Sequence, residues 1–319
     1  MLIWLSTMYL IAALHENIPK KAYIGHASSI PTQPPTDSRP LPESPLYTRP
    51  AGYSTIFRCL KPHSRTVVLL DAARELTIAF ATNASRAAST APPSHTNTSA
   101  PRASLLALKD RIFTFPTSSQ IQNPSNEDRV YEAIALTCRL YAYALSHNVP
   151  FSKANVAPEV VNNSAPALRS GARKLSLVEG PTKSQPPAMH VQIKLALENT
   201  ARDDCWGHLA GVLFWISLVA GAAANPSEAC HGTGMATYEE EEARKWLAAT
   251  AVRCKILLGF EHVPPILGTL RRMVDLQQAL ARTQTGSAQQ IAAPVPRFFG
   301  PAEPPSATFG DFAWDFMKS

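Results

Sequence analysis

The chain is short of charge and without a cysteine motif, and each shortage argues against a class of protein. Asp, Glu, Lys and Arg make up 17% of its 319 residues, below the roughly 25% of an ordinary soluble domain. The net charge of +6 is too mild to mark a nucleic-acid groove, and a solvated basic surface accounts for it. The cluster Arg169, Arg173, Lys174 is too short and interrupted for an import signal or a phosphate grip. Five cysteines (Cys59, Cys138, Cys205, Cys230, Cys254) are widely spaced with no C-x-x-C. That fits the reduced thiols of an intracellular chain better than a disulfide framework.

Long hydrophobic runs and strand patterns are missing too. Residues 209–224 carry no charge, but a bilayer requires roughly 20 apolar residues. A helix buried on all sides of a soluble domain is the expectation, with no membrane span. The apolar stretch 2–14 is shorter still, has no basic residue before it, and is followed by His15 and Glu16 where a signal peptide would have small residues. No run of alternating polar and apolar residues reads as a strand, and no internal repeat is visible.

Catalytic signatures fare no better. His15-Glu16 opens like H-E-x-x-H, yet Pro19 occupies the second histidine position. Gly232 and Gly234 match two glycines of a dinucleotide fingerprint with no strand before them. G-x-S-x-G is absent. Cys205, His208, Cys230 and His231 have the ligand types of a tetrahedral zinc site, but adjacent Cys-His ligands chelate awkwardly at tetrahedral angles. A buried thiol and a helix-end histidine is the simpler account. The expectation is no catalytic residue, no metal and no cofactor. An enzyme with a helical, metal-dependent pocket stays as an alternative.

What the chain does have is helical periodicity broken by proline. Residues 1–18 read as an apolar helix ended by Pro19. A helical pair is expected over 52–60 and 65–82, the second with Val67, Leu70, Ala73, Leu76 and Phe80 close to one face. A short helix is expected at 104–113. Ser125-x-x-Asp128 caps a longer one, whose stripe is Val130, Ile134, Cys138, Tyr141 and Leu145. Helices at 190–199 and 205–224 follow. Thr237 and Glu240 form a capping box for the next helix, whose first turn holds Glu239 to Glu242 at the positive end of the helix dipole. Its core face is Leu247, Ala251, Cys254 and Leu258. Pro264-Pro265 open a last helix through 282. Between helices lie Pro/Ser-rich stretches near 27–50, 83–104 and 157–188, read as disordered insertions. The fold class is therefore all-α, an irregular helical domain over 1–282 with long disordered insertions, followed by a disordered tail over 283–319.

Two residue sets stand out as binding candidates. Trp206, Phe214, Trp215 and Trp246 are large aromatics on apolar helices that either line a ligand pocket or pack the core. The tail ends FGDFAWDFMKS, with Phe309, Phe312, Trp314 and Phe316 interleaved with Asp311 and Asp315. Aspartates keep such aromatics solvated until a partner groove buries them.

The segments VYEAIALTCRLYAYALSHNVPFS, WGHLAGVLFWISLVAGAA and ARKWLAATAVRCKILLGFEH, the last leading to ILGTLRRMVDLQQAL, occur in this order. Together they resemble the C-terminal part of the fungal-specific transcription factor domain, the helical regulatory region of fungal zinc-cluster transcription factors. The resemblance is strongest over 130–282 and extends weakly to 1–82. It implies a nuclear, non-enzymatic regulator of transcription, which contacts transcription machinery or related regulators through the helical domain and the tail, with homo- or heterodimers allowed. The binuclear cluster motif C-x2-C-x6-C is absent from the sequence, so DNA is an expected partner only if such a cluster lies upstream. A stand-alone interaction scaffold without DNA binding is the other expectation.

Overall fold

The computed structural model describes residues 2–14, 41–50, 52–61, 64–88, 99–116, 124–162, 187–201, 206–225 and 237–282. Ten α-helices are found there: α1 (Leu2–Leu14), α2 (Arg65–Ala88), α3 (Ser99–Phe113), α4 (Asn126–His147), α5 (Phe151–Ala154), α6 (Pro158–Asn162), α7 (Met189–Glu198), α8 (Ala210–Ala223), α9 (Tyr238–Gly259) and α10 (Val263–Arg282). The described residues contain no strand, only two isolated bridges within 44–52. The fold is all-α.

The helix ends follow local chemistry. At α4, Ser125 Oγ accepts from the Asp128 amide at 3.2 Å, and Asp128 Oδ2 accepts from the Ser125 amide at 2.9 Å. These bonds to Ser125 hold the Asp128 carboxyl below its ordinary range. Thr237 and Glu240 repeat the reciprocal arrangement at α9, at 3.3 and 2.9 Å. Asn148 closes α4 in the left-handed conformation, φ 58° and ψ 45°.

All of α8 is buried, from Ala210 to Ala223. It is ringed by α1, α4, α5, α7 and α9. That surrounding explains an apolar sequence with no polar face. No described helix is long and apolar enough to cross a membrane. The other layers are α2 and α3 against α4, and α1 against α10. Polar side chains tie the layers where carbonyls would go unpaired. Gln277 Nε2 donates to Ala13 O near the end of α1 at 2.7 Å, and Arg139 Nη2 donates to Phe115 O just past α3 at 2.9 Å.

Four sequence expectations are corrected. The part of the 27–50 linker that the structure describes, 41–50, is packed rather than free: residues 41–47 are all buried. Likewise 52–60 is no helix, but a loop with one 3-10 turn at Ile56–Arg58. The reason is tertiary. Glu43, fully buried, accepts from the Ser54, Thr55 and Ile56 amides at 2.7–3.1 Å, and from Ser54 Oγ at 2.8 Å. It thereby supplies partners to amides that a helix N-terminus leaves unpaired. The expected loops at 83–104 and 157–188 are also partly helical, since α2 runs to Ala88, α3 starts at Ser99 and α6 covers Pro158–Asn162. The remainder of the four expected disordered stretches, including all of 283–319, lies outside the described residues.

Candidate functional site

Helix α9 is apolar on two faces. Its inner face, Ala243, Leu247, Ala251 and Cys254, is buried, with α8 packed alongside. Its outer face carries Val252, Ile256 and Phe260 at i, i+4 and i+8, with Leu257 on the flank, and these four are 42–83% exposed. Tyr238 begins the same face. Of nine exposed large apolar side chains among the described residues, five lie between Tyr238 and Phe260. Single exposed apolar residues are ordinary, whereas a contiguous row on one helix marks a contact surface.

The charge around this row is mostly cationic, with the exposed acid Glu261 directly after Phe260. From Ala243 to Phe260 the sequence holds Arg244, Lys245, Arg253 and Lys255 and no acid. Helical geometry puts Arg253 on one flank of the row and Lys255 on the other. Lys255 Nζ donates to Thr7 Oγ1 on α1 at 2.6 Å. Ile11, one turn beyond Thr7, adds a further exposed apolar side chain on α1. The N-terminal end of α9 is different: Lys194 on α7 pairs with Glu198 at 3.1 Å and Glu242 at 3.2 Å, and Glu241 pairs with Arg244 and Lys245.

A concavity lies between α2 and α3. This open groove of about 570 Å³ has Ile78, Ala79, Ala107 and Leu108 in its lining. Glu75 and Arg111, also in the lining, form an ion pair at 3.2 Å.

The four aromatics singled out from sequence join one hydrophobic core, Trp246 from its partly exposed rim. Trp206, at φ 67°, donates its indole N–H to Thr200 Oγ1 at 3.1 Å. Phe214 and Trp215 are fully buried in α8. Trp215 meets Tyr141 edge-on at 5.5 Å, and Tyr141 stacks on Phe151 at 5.9 Å. Trp246 is half-buried on α9. The tail residues Phe309, Phe312, Trp314 and Phe316 lie outside the described residues.

Of the zinc-type residues, His208 is exposed, and Cys205, Cys230 and His231 lie outside the described residues. Among the described residues no three His, Cys, Asp or Glu side chains converge as a metal-binding set. Burial pushes the Cys59 and Cys138 thiols up from the ordinary thiol value, so neither of these two is activated.

Sequence reasoning missed the outer row of α9. Its signal was present as a second i, i+4, i+8 series opposite Leu247, Ala251 and Cys254, hidden because one apolar face already accounted for the helix. No family model, no curated protein and no solved structure matches this chain.

Proposed function

We propose that this chain is a non-enzymatic regulator of transcription that works in the nucleus by binding partners, with its helices as scaffold and its acidic-aromatic end as the contact to the transcription machinery. The observation that carries the partner-binding part is the exposed apolar row of α9 between Arg253 and Lys255. An amphipathic segment with acidic edges fits such a surface, burying its apolar side on the row and setting its acids against the cations. The transcriptional part is supported by the resemblance of 130–282 to the regulatory region of fungal zinc-cluster factors.

The test is a reporter assay with the full chain tethered to an unrelated DNA-binding domain. Replacing Trp314 and Phe316 together with Ala lowers activation several-fold on this reading. Activation that is unchanged by the double replacement refutes it. The same α9 surface also supports a scaffold that binds related regulators without activating anything. In that case the tethered chain gives no activation, while Ile256→Asp abolishes co-purification with the relatives.

A further inference from the structure

The outer face of α9 is nearly symmetric about its middle. Tyr238 lies as far before Ala249 as Phe260, the C-cap, lies after it, about three turns each way, so the three share one side of the helix. Ala249 is exposed, and Tyr238 and Phe260 are each 83% exposed. Glu242, Lys245, Val252, Arg253 and Ile256 complete the face, all of them exposed. Large aromatics at both ends and a methyl group at the centre suit an antiparallel copy of the same helix. Each aromatic then packs at the far end of the other helix, and the two backbones approach at Ala249.

Charge favours the same arrangement. The acids of α9 lie in its first turns, Glu239 to Glu242, and after Lys245 the helix holds only the cations Arg253 and Lys255. A parallel pair sets each sign against itself; an antiparallel pair sets the acidic start of one copy against the cationic end of the other and opposes the helix dipoles. Around the helix, Glu242 and Arg253 lie on one side of the Tyr238–Phe260 line, so two-fold pairing about Ala249 puts Glu242 of one copy beside Arg253 of the other. Arg253 already interacts within its own chain, and Glu242 holds Lys194. Neither contact has to be given up, because a guanidinium has several donors and a carboxylate several acceptor sites. Lys245 falls beside Val252 and Ile256 of the second copy, and its methylene stem covers them. The exposed Glu261 comes directly after Phe260, past the overlap and at the solvent rim, where screening is strongest.

Size sets the strength. The face is about 33 Å long and about 10 Å wide, well short of a standard interface of roughly 800 Å² per partner, so the association is weak and reversible.

We propose that α9 joins two copies of this chain as an antiparallel helix pair with its two-fold axis at Ala249. The proposal rests on the reading of α9 as a partner surface and names the partner, since α9 of a second copy is itself an amphipathic segment with acidic edges. It does not rest on the transcriptional reading.

Sedimentation equilibrium of the purified full-length chain is expected to show monomer passing to dimer in the micromolar range. Ala249→Arg sets a cation against its own copy at the axis, and Ile256→Asp puts an acid in the apolar row. Both positions are exposed, so each variant keeps the circular dichroism spectrum while association weakens roughly tenfold or more. Orientation is read by placing p-benzoylphenylalanine at position 238, which should crosslink to the peptide containing Phe260. The two ends of one α9 are about 33 Å apart, too far for a crosslink within a chain, so that product is a dimer. A monomer at every concentration, a dimer indifferent to both variants, or crosslinks that join the two 238 ends or run to α2 or α3 each overturn the proposal. A chain that stays monomeric while Ile256→Asp still abolishes co-purification with relatives overturns the second copy as partner and leaves α9 a partner surface. None of these readouts uses a reporter gene, so the transcriptional reading fails or stands separately.

Discussion

Arg272 sits in the interior with its charge intact, and its surroundings show how. Its guanidinium donates to the Leu46 carbonyl and lies over the Tyr47 ring at 5.2 Å. Burial pulls the guanidinium down to about 10 and pushes the Tyr47 hydroxyl up to about 12, against the pull of Arg272. Nearby on α10, burial pushes Asp275 up to about 6 from its ordinary 3.8, against the attraction of Arg271, Arg282 and Arg272. A raised folded-state value means that the folded protein holds this proton more tightly than the unfolded chain. The resulting stabilisation is complete below about pH 4 and is lost as pH rises through about 6, on the order of 2 kcal/mol in all. Asp275→Asn removes that dependence. Urea melts of the two proteins should nearly coincide near pH 4 and separate in favour of the variant by about 2 kcal/mol at neutral pH. A separation that does not grow with pH would show the carboxyl to be solvated.

At the scale of elements, the decisive contact is between α8 and the segment 41–47. A Cβ on Gly211 would lie 2.3 Å from the backbone of Pro42 and 2.5 Å from Glu43 O. Backbone pinned by the Glu43 hydrogen bonds cannot retreat, so Gly211→Ala should cost about 3 kcal/mol. Gly221→Ala meets only the Leu14 side chain, its Cδ2 at 2.5 Å. A rotamer change there relieves the clash, and the cost should stay below about 1.5 kcal/mol. Thermal unfolding of both variants checks the order; equal losses would mean that 41–47 yields as easily as a side chain. Helix caps were legible in the sequence because a capping box joins residues three apart, as Ser125–Asp128 and Thr237–Glu240 do. The packed loop 41–60 was not legible, because its partners come from elsewhere in the chain: Gly211 on α8 and Arg272 on α10.

For the whole molecule, one hydrophobic core runs from α1 to α10 with α8 at its centre. Removing a side chain at that centre should therefore weaken every layer together. Trp215 is fully buried, and its indole N–H has no hydrogen-bond partner among the described residues. Trp215→Ala leaves a cavity and should cost about 3–5 kcal/mol. Trp215→Phe keeps most of the packing, deletes an unpaired donor, and should cost under about 2 kcal/mol. Both should shift circular dichroism and tyrosine fluorescence transitions by the same amount. Transitions that separate would show that the layers unfold independently.

The sequence by itself determined the helical class, the approximate helix spans from 65 onward, the two capping boxes and the buried character of α8. All of these rest on interactions within a few residues or on a period of 3.6. Only the tertiary structure decided that a proline-rich stretch at 41–47 is core. It also decided that Trp206, Phe214 and Trp215 fill the interior, and that the described residues leave one of the two apolar faces of α9 exposed. Periodicity marks a face as apolar; which neighbour covers it, or whether any does, depends on contacts between residues far apart in the chain.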